Sequence, residues 1–265
     1  MKFKKPKKSL GQNFLVDKNI INLIINTGDI KQKDTIVEVG PGTGNLTKNI
    51  ILKNPKKIFV IEKDTHLSNQ LNEKFKEKIT VINNDILKID ERKLSNKPII
   101  VFGNLPYNIS TQILVKWIRI NNFEKYFKKL ILMFQKEVAE RIISETNKKN
   151  YGRLSILTYW KMNVKKIADI SPNSFYPVPK VKSTLLMFEP KINLFDIKNP
   201  KNLEHVTNIF FNQRRKMIKK PLKLLFKNNL KKVSDKLNID INERPQNLSP
   251  LKYFEICKEF ERLIP

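Results

Sequence analysis

The tetrapeptide Asn104-Leu105-Pro106-Tyr107, continued by Asn108-Ile109-Ser110, combines residue types suited to one demanding reaction, the alkylation of an aromatic amine. The exocyclic amine of an adenine is a poor nucleophile because its lone pair is delocalised into the ring. Two acceptors placed around that amine take its hydrogens, favour a pyramidal nitrogen and turn the lone pair outward. Asn104 supplies a side-chain carbonyl. The second acceptor is the backbone carbonyl of Leu105 or Pro106, in a stretch whose backbone the proline restrains. Tyr107 offers a flat face on which a base can stack, an interaction worth ~1–3 kcal/mol. No strong general base is needed, because the amine becomes acidic only once it is alkylated. Catalysis then rests on positioning and electrostatics. The competing reading is a type I turn with Pro and Asn chosen for geometry alone.

A second constellation supplies a place for the alkyl donor. Gly40-Pro41-Gly42-Thr43-Gly44 follows an apolar strand, Thr35 to Val39, and precedes a helical stretch from about Asn45 to Leu52. Glu62 stands 22 residues after Gly40, at the end of the next strand. There a carboxylate grips ribose hydroxyls. Asp85 ends the third strand and is placed to accept from the exocyclic amine of a cofactor adenine, with Ile86 packing on the ring face. Asp85 alone reads as readily as a turn cap. The glycine spacing is G-x-G-x-G, with a proline after the first glycine, and not the dinucleotide pattern. It suits a nucleoside without a pyrophosphate, such as a sulfonium nucleoside, better than a nicotinamide dinucleotide.

These positions need a scaffold that ends successive strands side by side. Apolar runs at Ile58–Ile61, Ile79–Ile82, Ile99–Gly103 and Leu130–Phe134 alternate with helical stretches through Leu67, Leu71 and Phe75 and from Ile113 to Ile118. That alternation predicts a mainly parallel sheet covered on both faces, with ligands at the carboxyl ends of its strands. A late extended pair, near Val164–Ile170 and Thr184–Phe188, completes it. Asp17 is the expected N-cap of a helix carrying Ile20, Ile21, Leu23, Ile24 and Ile25. From about residue 190 the pattern becomes helical, broken by Pro200, Pro221, Pro245 and Pro250. The expected division is a catalytic domain over residues 1–189 and a small helical domain over 190–265.

The 265 residues carry 52 Lys plus Arg against 25 Asp plus Glu, a net charge of +27. Such a surface favours polyanionic partners, nucleic acid above all. Dense basic runs lie at Lys2 to Lys8 and Arg214 to Lys220. The chain is also rich in Lys, Asn and Ile together, as a drift of composition towards A and T would produce. With one cysteine, Cys257, neither an internal disulfide nor a cysteine metal site can form, and His66 and His205 have no ligand-like spacing. The expectation is a metal-free, cytoplasmic protein without signal peptide or membrane span.

Four segments together resemble the ribosomal RNA adenine N6-dimethyltransferase family, over nearly the whole chain. They are Leu10-Gly11-Gln12-Asn13-Phe14-Leu15, Val37-Glu38-Val39-Gly40-Pro41-Gly42-Thr43-Gly44, Asn104-Leu105-Pro106-Tyr107-Asn108-Ile109-Ser110, and Phe175-Tyr176-Pro177-Val178-Pro179-Lys180-Val181-Lys182-Ser183. The resemblance implies an α/β fold, a Rossmann-like class I methyltransferase with a seven-stranded sheet including one antiparallel strand, plus a small all-α C-terminal domain. It implies S-adenosylmethionine as cofactor. Gln12, Asn13 and Leu15 would close over it. Gly40, with Gly42 in the same turn, would meet its amino-acid end, Glu62 its ribose, and Asp85 with Ile86 its adenine. Asn104 would touch both cofactor and target amine, and Phe175 would stack on an extruded adenine opposite Tyr107.

The N-terminal Leu-Gly-Gln-Asn-Phe-Leu and the stretch Phe210-Phe211-Asn212-Gln213-Arg214-Arg215-Lys216 are similar to the small-subunit branch of that family. The implied substrate is two adjacent adenines in a hairpin near the 3′ end of small-subunit ribosomal RNA, met by a monomer within an assembling particle. Pro221 departs from the pattern and is expected to interrupt the basic helix. The competing readings are the large-subunit branch, a non-catalytic ribosome-assembly factor that binds RNA, and a nicotinamide-dependent oxidoreductase, which has no use for Asn-Leu-Pro-Tyr.

Overall fold

The computed structural model describes residues 6–7, 10–192 and 194–263. The N-terminal basic run Lys2 to Lys8, apart from Pro6 and Lys7, lies outside them. The strands are β1 (Phe14–Leu15), β2 (Thr35–Val39), β3 (Lys57–Ile61), β4 (Thr80–Ile82), β5 (Ile99–Asn104), β6 (Phe127–Gln135), β7 (Met162–Ile170), β8 (Phe175–Tyr176) and β9 (Ser183–Pro190). The helices are α1 (Lys18–Gly28), α2 (Asn45–Ile51), α3 (Thr65–Phe75), α4 (Ser110–Ile118), α5 (Phe123–Tyr126), α6 (Lys136–Ile142), α7 (Arg153–Lys161), α8 (Pro200–Phe211), α9 (Lys219–Phe226), α10 (Leu230–Lys236) and α11 (Pro250–Leu263).

Seven strands form one sheet in the order β4-β3-β2-β5-β6-β9-β7. The pairs β3–β4, β2–β3, β2–β5 and β5–β6 are parallel, and β9 runs antiparallel to β6. The strand order reverses between β2 and β5, the place where an open α/β sheet leaves a crevice at its carboxyl ends. Strands buried on both faces read as continuous apolar runs, and β2 is buried along its whole length.

Helix α1 shows how local signals feed that packing. The Asp17 carboxylate accepts from the Asn19 and Ile20 amides at 2.9 and 3.3 Å and so caps the first turn. Ile21, Ile24 and Ile25 then face inward. At Gly28 the helix comes so near the Phe102 ring of β5 that a Cβ would lie 2.3 Å from it, which only glycine avoids. The two-residue strands β1 and β8 form a separate antiparallel ribbon, with Leu15 opposite Phe175.

The chain divides into two compact units, residues 1–139 with 164–190, and residues 140–163 with 191–265. A single boundary near residue 190 is therefore a correction to make, since the excursion 140–163 folds with the second unit. The reason is apolar. Within that unit Tyr151 meets the Phe211 ring edge-on, and the Trp160 indole N–H donates to the Phe195 carbonyl. The prolines also act differently from expectation. Pro200 and Pro250 open α8 and α11, where a missing amide proton leaves no bond unmade. Pro221 sits in the first turn of α9 and is tolerated for the same reason. The basic run is interrupted earlier, between Phe211 and Lys219, where the chain leaves one helix before starting the next.

Candidate active site

A cavity opens in the first unit at the carboxyl ends of β2, β3 and β5, roofed by residues 10–15. Gln12, Asn13, Leu15, Gly40, Gly42, Glu62, Asp85, Ile86, Asn104 and Pro106 all line it. Residues far apart in sequence thus meet because each stands at or just beyond a strand end. A second cavity is bounded by Tyr107 and Gln135, with Gly11, Asn13 and Asn108 shared between the two.

Glu62 anchors the cavity at the strand ends. Its carboxylate accepts from the Gly42 amide at 3.2 Å and from the Asp64 amide at 2.9 Å, one bond to each oxygen. Each oxygen keeps a lone pair for a ligand hydroxyl. Burial pushes the Glu62 carboxyl above its ordinary range, and the two amides pull the other way. Gly42 is needed for this arrangement. Its φ is +56°, and a Cβ there would stand 2.6 Å from the Phe14 ring.

Asp85 is held differently. One oxygen accepts from the Lys63 ammonium at 2.8 Å and the other from the Leu87 amide at 3.0 Å. The Lys63 hydrogen bond leads in keeping its carboxyl below the usual range, so it is an ionised acceptor. Ile86 beside it is buried and supplies apolar wall.

Glu38 is a site residue to which sequence reasoning gave no role. It lines the same cavity, is buried, and accepts from the Thr47 hydroxyl at 2.6 Å. Burial raises its carboxyl to about 7, against the opposing Thr47 bond and with help from the nearby charge of Glu62. The available signal was a carboxylate placed one residue before the end of an otherwise apolar strand. In a chain of net charge +27, three carboxylates converge on one cavity. That set fits a nucleoside with a cationic end: acceptors for ribose hydroxyls, an acceptor for an amine, apolar surface for a ring, and negative potential for the cation.

The roof is tied down by side chains. The Asn104 amide donates to the Asn13 carbonyl at 2.7 Å, and the Asn45 amide donates to the Leu15 carbonyl at 2.8 Å. Asp64 accepts from Gln12 at 3.3 Å and pairs with Lys7 at 2.9 Å. Because the Asn104 NH₂ faces Asn13, its Oδ1 is left as the acceptor. The loop after β5 is closed by the Ile109 amide, which donates to the Pro106 carbonyl at 3.1 Å. The Leu105 side chain is buried beneath Gly103, so this residue brings only backbone to the loop surface. The Tyr107 hydroxyl and Ser183 Oγ lie 2.5 Å apart. Burial raises the Tyr107 phenol, which keeps it neutral and rules it out as a base at neutral pH.

Phe175 is not brought to either cavity. Its ring is 2% exposed and packs in the core with Leu15, Ile170 and Leu185. Pairing of β1 with β8 sets Phe175 opposite Leu15, so both side chains sink into the same apolar cluster. The face expected to stack on a base is covered in this structure. Among the described residues, no group of three or more His, Cys, Asp or Glu is placed to hold a metal, and no helix is long and apolar enough to cross a membrane.

Residues 3–262 match the ribosomal RNA adenine dimethylase family. Ribosomal RNA small subunit methyltransferase A of Pelagibacter ubique is 57% identical over 261 residues, spanning 98% of this chain and 99% of that one. The protein of the same name from Ehrlichia ruminantium is 42% identical over 95% of this chain and 96% of its own. Among solved structures, a dimethyladenosine transferase from Plasmodium falciparum superposes with a TM-score of 0.78 at 26% identity, covering 94% of this chain and 98% of that one. The 23S rRNA methyltransferase ErmE, at 20% identity and a TM-score of 0.69 over 94% of this chain and all of its own, shares the fold.

Proposed function

The chain belongs to the ribosomal RNA adenine dimethylase family, and on that premise we propose that it transfers methyl groups to the N6 atoms of two adjacent adenines near the 3′ end of small-subunit ribosomal RNA. The observation that carries this reading is the junction at Asn104. Asn104 lines the nucleoside cavity and its amide donates at 2.7 Å to the carbonyl of Asn13, a residue that lines both cavities, which supports a place for its oxygen beside the target amine.

S-adenosylmethionine supplies a methyl group on a sulfonium leaving group. Glu62 receives its ribose hydroxyls, Asp85 its adenine amine, Ile86 its ring, and Glu38 adds negative potential along the same wall. Gly40 and Gly42 admit its amino-acid end, and Gln12, Asn13 and Leu15 cover it. The target adenine enters the cavity bounded by Tyr107 and Gln135. Asn104 Oδ1 accepts one hydrogen of the target amine. The backbone carbonyl of Leu105 or Pro106 accepts the other, the Pro106 carbonyl keeping one lone pair beside its bond from Ile109. With both hydrogens held, the nitrogen lone pair points at the methyl carbon. The N–C bond forms as the S–C bond breaks, and the nitrogen then releases a proton to solvent. Tyr107 stacks on the base, its ring pinned through Ser183. Phe175 takes part only if an arriving base separates its ring from the core.

Methyl-labelled S-adenosylmethionine incubated with undermethylated small subunits, and with large subunits in parallel, tests the proposal. Label recovered as N6,N6-dimethyladenosine from the small subunit alone is the expected result. Label in large-subunit RNA moves the protein to the other branch. No label in either, with cofactor bound, leaves an RNA-binding assembly factor.

A further inference from the structure

We infer that Lys116 is a positioning residue for the adenine end of the nucleoside cavity, fastening the turn that carries Asp85 and Ile86 to the helix that carries the catalytic loop. The inference rests on the reading of Asp85 and Ile86 as the adenine site.

Helix α4 begins at Ser110, separated by two residues from Asn104-Leu105-Pro106-Tyr107, and Lys116 stands in its last turn. The ammonium donates to the Ile86 carbonyl at 2.7 Å, to the Ile89 carbonyl at 2.5 Å and to Glu91 Oε1 at 2.6 Å. An ammonium has three protons, and here three acceptors lie within bonding distance. Glu91 is itself 2% exposed and takes a second bond to the same oxygen from the Trp117 indole at 2.7 Å. Neighbouring residues of one helix therefore grip a buried carboxylate, and the first of them also grips the backbone of residue 86.

The consequence is geometric. Residues 86–88 form a single 3-10 turn capped by Asp85, a short element with little rigidity of its own. Its position relative to the catalytic loop is set by what holds it. Lys116 supplies that hold from within the helix whose N-cap, Ile109, donates its amide back to the Pro106 carbonyl of the catalytic loop. The tie is specific to lysine. Arginine carries the same charge, but its planar fork cannot present three protons to acceptors converging on one point.

The test measures binding to the whole protein by calorimetry, together with thermal stability. The ligands are S-adenosylhomocysteine and S-inosylhomocysteine, in which an oxygen replaces the adenine amine. The variants are Lys116→Arg, Lys116→Met and the double variant Lys116→Met with Glu91→Gln. The double variant removes the buried carboxylate's charge together with its ammonium partner and so avoids stranding the carboxylate.

Wild-type protein is expected to favour the adenine ligand. The double variant is expected to melt within a few degrees of wild type, to bind S-adenosylhomocysteine at least about tenfold more weakly, and to lose most of its preference for adenine over hypoxanthine. Lys116→Arg is expected to share that loss of preference. A stable double variant with wild-type affinity and preference overturns the inference. So does an equal loss for both ligands, which marks general damage. Wild-type protein that binds S-adenosylhomocysteine without preferring it overturns the adenine reading of Asp85 and the inference with it. Failure to bind either ligand sinks the cofactor reading as a whole.

Discussion

The strand-end cavity of the first unit and the basic turn of the second unit hold charge in opposite ways. In the cavity, Glu38 and Glu62 are buried, and with Asp85 each is tied by at least one hydrogen bond of 3.2 Å or shorter to a named partner. Between Phe211 and Lys220, Arg215, Lys216, Lys219 and Lys220 lie exposed. Arg214 differs from its neighbours, because it donates to Gln246 and to the Lys148 carbonyl, both at 3.1 Å, and so serves the fold of its unit. Charges fixed inside a cavity define a ligand atom by atom. Charges on a solvated turn recognise only a field.

The largest expected effect breaks the chemistry and leaves the field intact. Asn104→Ala removes the acceptor for the target amine, and single-turnover methyl transfer is expected to fall by about 10²–10³-fold. RNA affinity measured by filter binding should stay at the wild-type value. A variant that still transfers methyl groups at the wild-type rate would remove Asn104 from the mechanism.

Next in size is the ribose grip. Glu62→Gln loses the charge, and half of its terminal group turns from acceptor to donor beside the Gly42 and Asp64 amides. Affinity for S-adenosylhomocysteine is expected to drop by about 10–100-fold, since a hydrogen bond to a charged group contributes ~1.5–3 kcal/mol. Calorimetry would show it, with RNA binding unmoved.

The converse experiment removes the field and leaves the cavity. Replacing Arg215, Lys216, Lys219 and Lys220 by Ala should flatten the dependence of RNA affinity on salt, by up to ~1 in logarithmic slope for each residue that meets a phosphate. Cofactor affinity should not change. An unaltered salt slope would make this turn a solvated surface and nothing more.

The smallest effect concerns stability. A buried Glu38 that titrates near 7 takes up a proton on folding between its unfolded value and that pH. Its contribution to stability is fully present below about 4.5, and it is lost as pH rises towards 7. Glu38→Gln removes that slope while keeping an oxygen for Thr47. The variant should therefore melt a few degrees above wild type at pH 8 and match it near pH 4, as read by calorimetric scans. A parallel pH dependence in both proteins would contradict the burial argument.

Legibility followed the same divide. Strand ends were readable because fully buried strands are continuous apolar runs, and a strand end is where a carboxylate or glycine stands out. Glu62, Asp85 and the Asn104 loop were singled out that way, and the fold brings them to one cavity. Glu38 escaped because its oxygen points at Thr47, a residue nine positions on whose placement only the folded α2 decides. Phe175, whose role only the resemblance implied, packs in the core, a placement that a two-residue ribbon, β1 with β8, is too short to announce in the sequence. Its pairing with Leu15 comes from tertiary packing. The excursion 140–163 was unreadable for a related reason, since no composition shift marks where the chain changes units. Prolines were misjudged by type. In a first turn they start helices, and their sequence alone does not say which turn they occupy.

The most direct test of the cavity's assignment is a crystal structure of the protein with S-adenosylhomocysteine bound. Ribose hydroxyls are expected within hydrogen-bonding distance of Glu62, with the adenine amine at Asp85 beside Ile86 and the sulfur directed towards Asn104. A nucleoside bound elsewhere, or in this cavity with its ribose turned away from Glu62, would contradict that assignment.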